Sequence, residues 1–134
     1  MQVMRDGRPV TVEVTSDGAG LVSHAGTALV AQVADKVGLT AALSSRLAGI
    51  KQRRRGHDPG RVIRDLAVML VDGGECVSDL GAVREQDVLF GAVASDSTAF
   101  RIVDRIASEP GLLEALRVAH ARARARFSRP VPRG

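Results

Sequence analysis

Residues Gly56 to Ile106 read GHDPGRVIRDLAVMLVDGGECVSDLGAVREQDVLFGAVASDSTAFRIVDRI, and two helical patterns in this stretch set the fold. The first runs from Pro59 to Val71. Val62, Ile63, Leu66, Ala67 and Leu70 recur at helical spacing, the mark of a helix half-buried in a core. Asp58 is placed to cap it and Pro59 to occupy its first position, where a missing N–H costs nothing. Asp72-Gly73-Gly74 ends it. The second pattern runs from Ser97 to Ala107, with Ser95 or Asp96 at its start and Pro110 beyond its end. Its spacing predicts Ala99, Phe100, Val103 and Ile106 inward, with Arg101 and Arg105 outward one turn apart. A hydroxyl-rich start and arginines on the free face suit a helix that reads a DNA groove, with Ser97, Thr98, Arg101 and Arg105 as the groove-facing residues.

Between these helices, Ser78 is a candidate cap for a short helix carrying Leu80 and Val83. Leu89 to Val93 reads as a buried connector anchored by Phe90. Upstream, Val10, Val12 and Val14 alternate with polar residues as a half-buried strand. Ser16-Asp17-Gly18 is a turn signal, and Leu21 to Ser23 is the expected partner strand of a hairpin. From Ala25 the period changes. Leu29, Val30, Val33, Ala34 and Val37 form a helical stripe that stops at Gly38. Thr40 then opens a short helix with Leu43 and Leu47 inward, closed by Gly49. Between that helix and Asp58 lies a cationic run. Its Arg53, Arg54 and Arg55, with Arg61 just beyond, suit phosphate neutralisation, although a solvated linker has the same composition.

Downstream, Gly111 to about Phe127 reads as a last helix burying Leu112, Leu113, Leu116, Ala119, Ala123 and Phe127. Arg117, Arg122, Arg124 and Arg126 lie on its outer side. The alternation of Arg and Ala spreads charge around this helix, and arginines near a helix C-terminus also suit its macrodipole. Residues 128–134 read as a disordered tail.

The 134 residues amount to one domain, with 45% apolar residues and only 2% aromatic ones. Such a core is built from Leu, Val, Ile and Ala, which favours helices over a β-sandwich. The expected architecture is mainly α: a bundle-like domain of about five to six helices with a short N-terminal β-hairpin. The hairpin segment covers 1–24 and the helical domain 25–127. Net charge is +4 and almost all the cations are arginine. Arginine forks favour phosphate and guanine partners, while GC-rich coding yields the same bias.

Cys76 is the only cysteine, so neither an internal disulfide nor a Cys-rich zinc site forms within the chain. No secretory h-region is seen, and no apolar run approaches ~18 residues, so no membrane span is expected. Asp72, Glu75 and Asp79 are close in sequence, but a double glycine separates the first from the others. They read as helix-end residues, not as metal ligands. His24, His57 and His120 lack companions at ligand spacing. There is no phosphate-binding glycine loop, and no catalytic residue is assigned.

The ordered series Gly56-His57-Asp58-Pro59-Gly60-Arg61-Val62, Asp65 to Leu70, Asp72-Gly73-Gly74-Glu75, Ser78-Asp79-Leu80, Leu89 to Arg101 and Asp104-Arg105-Ile106 resembles the N-terminal region of bacterial DDE transposases of the IS1380 family. Gly38-Leu39-Thr40 and Ala42-Leu43-Ser44 fit as well, and the likeness extends from about Leu21 to Phe127. It implies a helical region that holds transposon-end DNA, followed by an RNase H-like domain whose three carboxylates bind two divalent metals. No Asp here matches a catalytic one, and the sequence stops where that domain would begin. The resemblance therefore implies a truncated transposase region, catalytically inert alone. A divalent cofactor such as Mg would belong to the absent domain.

The expected partner is double-stranded DNA at transposon terminal repeats, in the cytoplasm on the bacterial nucleoid, with another transposase copy as a further partner. The alternative is an interaction or oligomerisation module without DNA contact, in which Arg101 and Arg105 pair with acids across an interface. A free-standing helix-turn-helix repressor fits less well, because the connector from Arg84 to Ser95 exceeds the 3–4-residue turn of that motif.

Overall fold

A computed structural model describes residues 2–5, 8–11, 25–50 and 56–129. Among them the chain is mainly helical. Strands β1 (Gln2–Arg5) and β2 (Arg8–Thr11) precede helices α1 (Ala25–Lys36), α2 (Leu39–Arg46) and α3 (Pro59–Val71). Two short helices come next, α4 (Leu80–Arg84) and α5 (Asp87–Phe90), and then the longer α6 (Asp96–Ser108) and α7 (Pro110–Phe127). Single 3-10 turns lie at Ala48–Ile50 and Val77–Asp79. The excess over five or six helices comes from α5, one helical turn inside the expected connector.

The described residues hold a hairpin between β1 and β2. β2 pairs antiparallel with β1, matching Val3 to Val10 and Met4 to Pro9. In sequence the strands are separated by Asp6-Gly7, one of the dipeptides favoured in two-residue hairpin turns. The expected turn at 16–18, the partner strand at 21–23 and the tail at 130–134 lie outside the described residues.

The helix boundaries follow their signals. Asp58 caps α3, accepting from the Gly60 amide at 3.1 Å, and Ser44 of α2 donates to its other oxygen. At the far end Gly73 has φ +100°, a backbone that penalises any residue with a Cβ. It donates to the Leu70 carbonyl and Gly74 to the Met69 carbonyl, the paired bonds of a Schellman end. Thr40 does not cap α2. Gly38 precedes that helix, and the Thr40 hydroxyl donates instead to Asp35 of α1 at 2.5 Å.

One hydrophobic core gathers Leu43 of α2 with Leu47 just past its end, Val62, Val68 and Met69 of α3, Leu80 and Val83 of α4, and Phe90 of α5. Ala99, Ile102 and Ile106 of α6 and Ala119 of α7 complete it. Several buried faces are rotated from the expected ones. On α3 the inward residues include Arg64 and Asp65, while Ala67 and Leu70 face solvent. On α1 the small Ala28 and Ala31 are buried and Leu29, Val30 and Val33 are exposed. On α6 Ile102 replaces Phe100 and Val103 in the core, and on α7 Phe127 is 73% exposed.

The rotation of α3 has an electrostatic cause. Arg64, 6% exposed, donates through Nε and Nη2 to Asp65 Oδ1 at 3.1 and 2.8 Å. Its Nη1 reaches both Asp35 oxygens at 3.0 and 3.1 Å. Burial opposes the Arg64 charge, but Asp65 and then Asp35 outweigh it and hold its pKa above the ordinary value. Burial pushes the Asp65 carboxyl, 1% exposed, above the usual carboxylate range, against the pull of Arg64. A second constraint is steric. A Cβ at Gly60 would stand 2.1 Å from the Ser44 backbone nitrogen and 2.6 Å from the Leu43 carbonyl carbon, so α2 and α3 meet backbone to backbone.

Gly60→Ala is therefore expected to destabilise the chain by about 3 kcal/mol or more in urea unfolding, at the upper end of overpacking effects. A loss within 0.5 kcal/mol, the size of about an ordinary surface change, would contradict the close crossing. Arg64→Met leaves Asp65 buried without its partner and should cost about 3–5 kcal/mol near neutral pH. In that variant the folded-state pKa of Asp65 rises further above its unfolded value. Below the unfolded value both states are protonated and this penalty is absent. It grows as pH climbs towards the raised folded value. The deficit against wild type is thus smaller at about pH 4 than at about pH 7, and an equal deficit at both would refute the assignment.

Candidate nucleic-acid interface

Helix α6 is held from two sides at its start. Arg84 of α4 donates through Nη1 to the Ala94 carbonyl at 3.0 Å and to Asp96 at 3.1 Å. Arg61 of α3 donates through Nη2 to the Phe90 carbonyl at 2.8 Å. Both contacts fix residues 90–96, the approach to the helix. Ser95 caps it, its Oγ accepting from the Thr98 amide at 3.3 Å and lying 3.0 Å from the Thr98 hydroxyl. Arg101 Nη2 donates to that same hydroxyl at 3.2 Å. A short polar chain thus runs from the helix cap to an outward arginine.

With Ala99, Ile102 and Ile106 inward, the rest of α6 divides into two flanks by its helical period. Thr98, Arg101 and Arg105 lie on one, and Phe100, Val103 and Ala107 on the other. Phe100 is 61% exposed, large for an aromatic side chain with no role in the core. Ser97, Phe100 and Arg101 join Val77, Ser78 and Asp96 around an open depression of about 500 Å3. Next in sequence to Ser78, the Asp79 carboxylate accepts from the amides of Glu75 and Cys76 at 2.8 and 3.0 Å. Those backbone donors hold its pKa below the usual range. The cap of this 3-10 turn is Cys76 with Asp79, not Ser78.

The structure brings Ser97, Thr98 and Arg101 together on one exposed helix end. Arg105 lies on the same flank, but its Nε donates to Glu109 Oε1 at 2.9 Å. Arg61 is half-buried against Phe90, some distance along the chain from that end. Arg53, Arg54 and Arg55 lie outside the described residues. The described chain stops before them at buried Ile50 and resumes at Gly56. Phe100 escaped the sequence reading because Val103 and Phe100 mimic an inward i, i+3 pair. The signal for the true phase was Ile102, which with Ala99 and Ile106 completes a narrower stripe.

Among the described residues, no three of His, Cys, Asp and Glu are grouped to hold a metal ion. No described helix is long and apolar enough to cross a membrane.

The geometry defines a small, mainly helical domain with one arginine- and hydroxyl-bearing helix end free of the core. Residues 4–129 match the family described as Transposase DDE domain group 1, and the chain belongs to that family. No curated protein and no solved structure matches it. Such a family implies divalent metal held by carboxylates. The acids closest together in sequence do not fit that task. Asp72 accepts from Thr27 at 2.6 Å, and Asp79 is turned onto backbone amides.

Ser95→Ala should remove the α6 cap and lower stability by about 1 kcal/mol. Chemical denaturation followed by far-UV circular dichroism measures this. A change of only a few tenths would show that the hydroxyl does not hold the helix start.

Proposed function

We propose that this chain acts in DNA transposition by holding duplex DNA at transposon ends, with α6 as the element that meets the bases. The observation that carries this reading is the free end of α6. Ser97, Phe100 and Arg101 are all exposed there, and among the described residues the Arg101 side chain is tied only to Thr98 of the same helix. Arginine offers a bidentate fork to guanine, the hydroxyls suit either base edges or phosphate, and an aromatic side chain packs on a thymine methyl. Family membership supports the same polymer as partner. On this reading Arg53, Arg54, Arg55 and Arg61 contribute to the phosphate side, and Arg105 has a lesser part because Glu109 competes for it.

Within the family the reading places the chain with IS1380-type elements, as the helical region over 25–127. Strand cleavage then falls to metal-binding carboxylates outside these residues, in an RNase H-like domain. The site of action is the bacterial nucleoid.

A second reading has one observation in its favour. Leu29, Val30 and Val33 of α1, with Leu70 and Val71 at the end of α3, are exposed. That much apolar surface suits docking against a catalytic domain or another transposase copy. It is compatible with DNA contact through α6.

Binding of the chain to its element's terminal repeat and to scrambled duplex, read by fluorescence anisotropy, tests the first reading. Arg101→Ala should weaken repeat binding by about 1–3 kcal/mol and narrow the preference over scrambled DNA. An equal loss on both duplexes would demote Arg101 to a phosphate contact. Absence of any preference in the wild-type chain would sink base reading by α6.

A further inference from the structure

The positive charge of the chain is not spread evenly. From Leu116 onward there are six arginines and no carboxylate side chain, whereas residues 1–115 hold 13 basic and 15 acidic side chains. The whole cationic excess therefore belongs to the second half of α7 and the residues beyond it. Among the described residues upstream, three arginines are answered by acids. Arg64 is buried with Asp65 and Asp35, Arg84 pairs with Asp96, and Arg105 pairs with Glu109. On α7 the one acid in reach is Glu114, 3.9 Å from Arg117 in a pair that is 67% exposed on both sides, an arrangement worth little. Arg122, Arg124 and Arg129 are exposed, and their side chains make no hydrogen bond or ion pair among the described residues.

The arrangement around the helix is as telling as the charge. Ala119 and Ala123 face inward, and α7 packs on α2 and α6. By helical period the opposite crest is Ala121 and Ala125, both exposed. Arg117 and Arg124 stand on one flank of that crest, Arg122 and Arg126 on the other, and Arg129 follows just past the helix end. A crest of methyl groups lets the helix axis come close to a surface, while arginine arms reach down on both sides. A helix about 10–12 Å across fits the major groove of B-form DNA, about 12 Å wide and walled on each side by phosphates. A-form RNA is a poor match, since its major groove is deep and narrow. A membrane surface is a poor match too, because the apolar side of the helix already lies against its neighbours.

We infer that the second half of α7 is a separate binding surface for the backbone of duplex DNA, seated over the major groove with arginines on both phosphate walls. This rests on the DNA-holding reading only in sharing its polymer, and assigns to α7 the affinity that α6 lacks the charge to supply. Arg126 has a further task, since its guanidinium lies against Gly38 at the end of α1. It is left in place in the test.

The test compares the full chain with the triple variant Arg122→Gln, Arg124→Gln and Arg129→Gln on fluorescein-labelled terminal-repeat duplex, scrambled duplex and duplex RNA over a salt series. Glutamine keeps helix propensity close to that of arginine. Each lost phosphate contact should lower the slope of log affinity against log salt by ~0.9, so the triple variant flattens it by ~2–3, equally on repeat and scrambled DNA. Arg124→Gln alone should flatten it by ~0.9, which keeps the test decisive if the triple variant melts early. An unchanged slope, or no DNA binding by the wild-type chain, overturns the inference. Binding to duplex RNA as tight as to DNA overturns the groove seating. A flattened slope in a chain that shows no repeat preference upholds α7 while refuting base reading by α6.

Discussion

A guanidinium buried between helices sets the orientation of the central element. Arg64 can be inside only if α3 turns its charged side towards Asp35 of α1, and Asp65 beside it supplies the second carboxylate. A buried ion group of this kind adds little net stability over a well-packed apolar one, but removal of one member leaves a charge that no solvent reaches. Its stronger effect is on register. Once Arg64 points at α1, Val62 and Val68 must enter the core, Ala67 and Leu70 must leave it, and Gly60 is delivered to the crossing with α2. That crossing admits only a hydrogen at the glycine. The polar network and the bare Cα act together: one fixes the rotation of α3, the other its approach.

This explains which parts of the fold the sequence discloses. Helix ends were legible because their signals are local. Asp58 with Pro59, Ser95, and Gly73 with Gly74 act through hydrogen bonds within a few residues of themselves. Helix faces were less legible because they depend on partners. Apolar counting placed Leu70 and Phe100 inside, yet α3 spends its inner face on Arg64 and Asp65, and α6 needs only Ala99, Ile102 and Ile106 to meet its neighbours. On α1 the contact is made by Ala28 and Ala31, small residues that let helices approach, so the larger Leu29 and Val33 are left outside. The hairpin was legible in kind. The strand β1 that pairs with β2 was not, because it lies upstream of the valine alternation.

The candidate site divides in the same way. Hydroxyls and Arg101 at the start of α6 were readable from spacing, since cap and outward face follow from one helical phase. The state of each arginine was not readable, because composition gives charge without its compensation. Arg61 and Arg84 hold the approach to α6 by donating to carbonyls, and Arg105 answers Glu109. Arginine near a helix C-terminus has an ordinary explanation in the macrodipole. On α7 that explanation covers the last turn, not arginines that begin two and more turns earlier and stand on opposite flanks.

The two surfaces are joined by a corner one residue long. Glu109 ends α6 and precedes Pro110, whose fixed φ and absent N–H start α7 without a linker. The ion pair from Arg105 to Glu109 braces that corner, and Ala119 carries α7 back onto the core. Phosphate contacts fix where a protein sits on a duplex and base contacts decide which duplex it prefers. A one-residue corner between a charge-dense helix and a helix whose Arg101 is exposed near its start separates those two tasks. On the proposed reading, α7 sets the register and α6 is brought to the bases at a position it could not hold by its own charge.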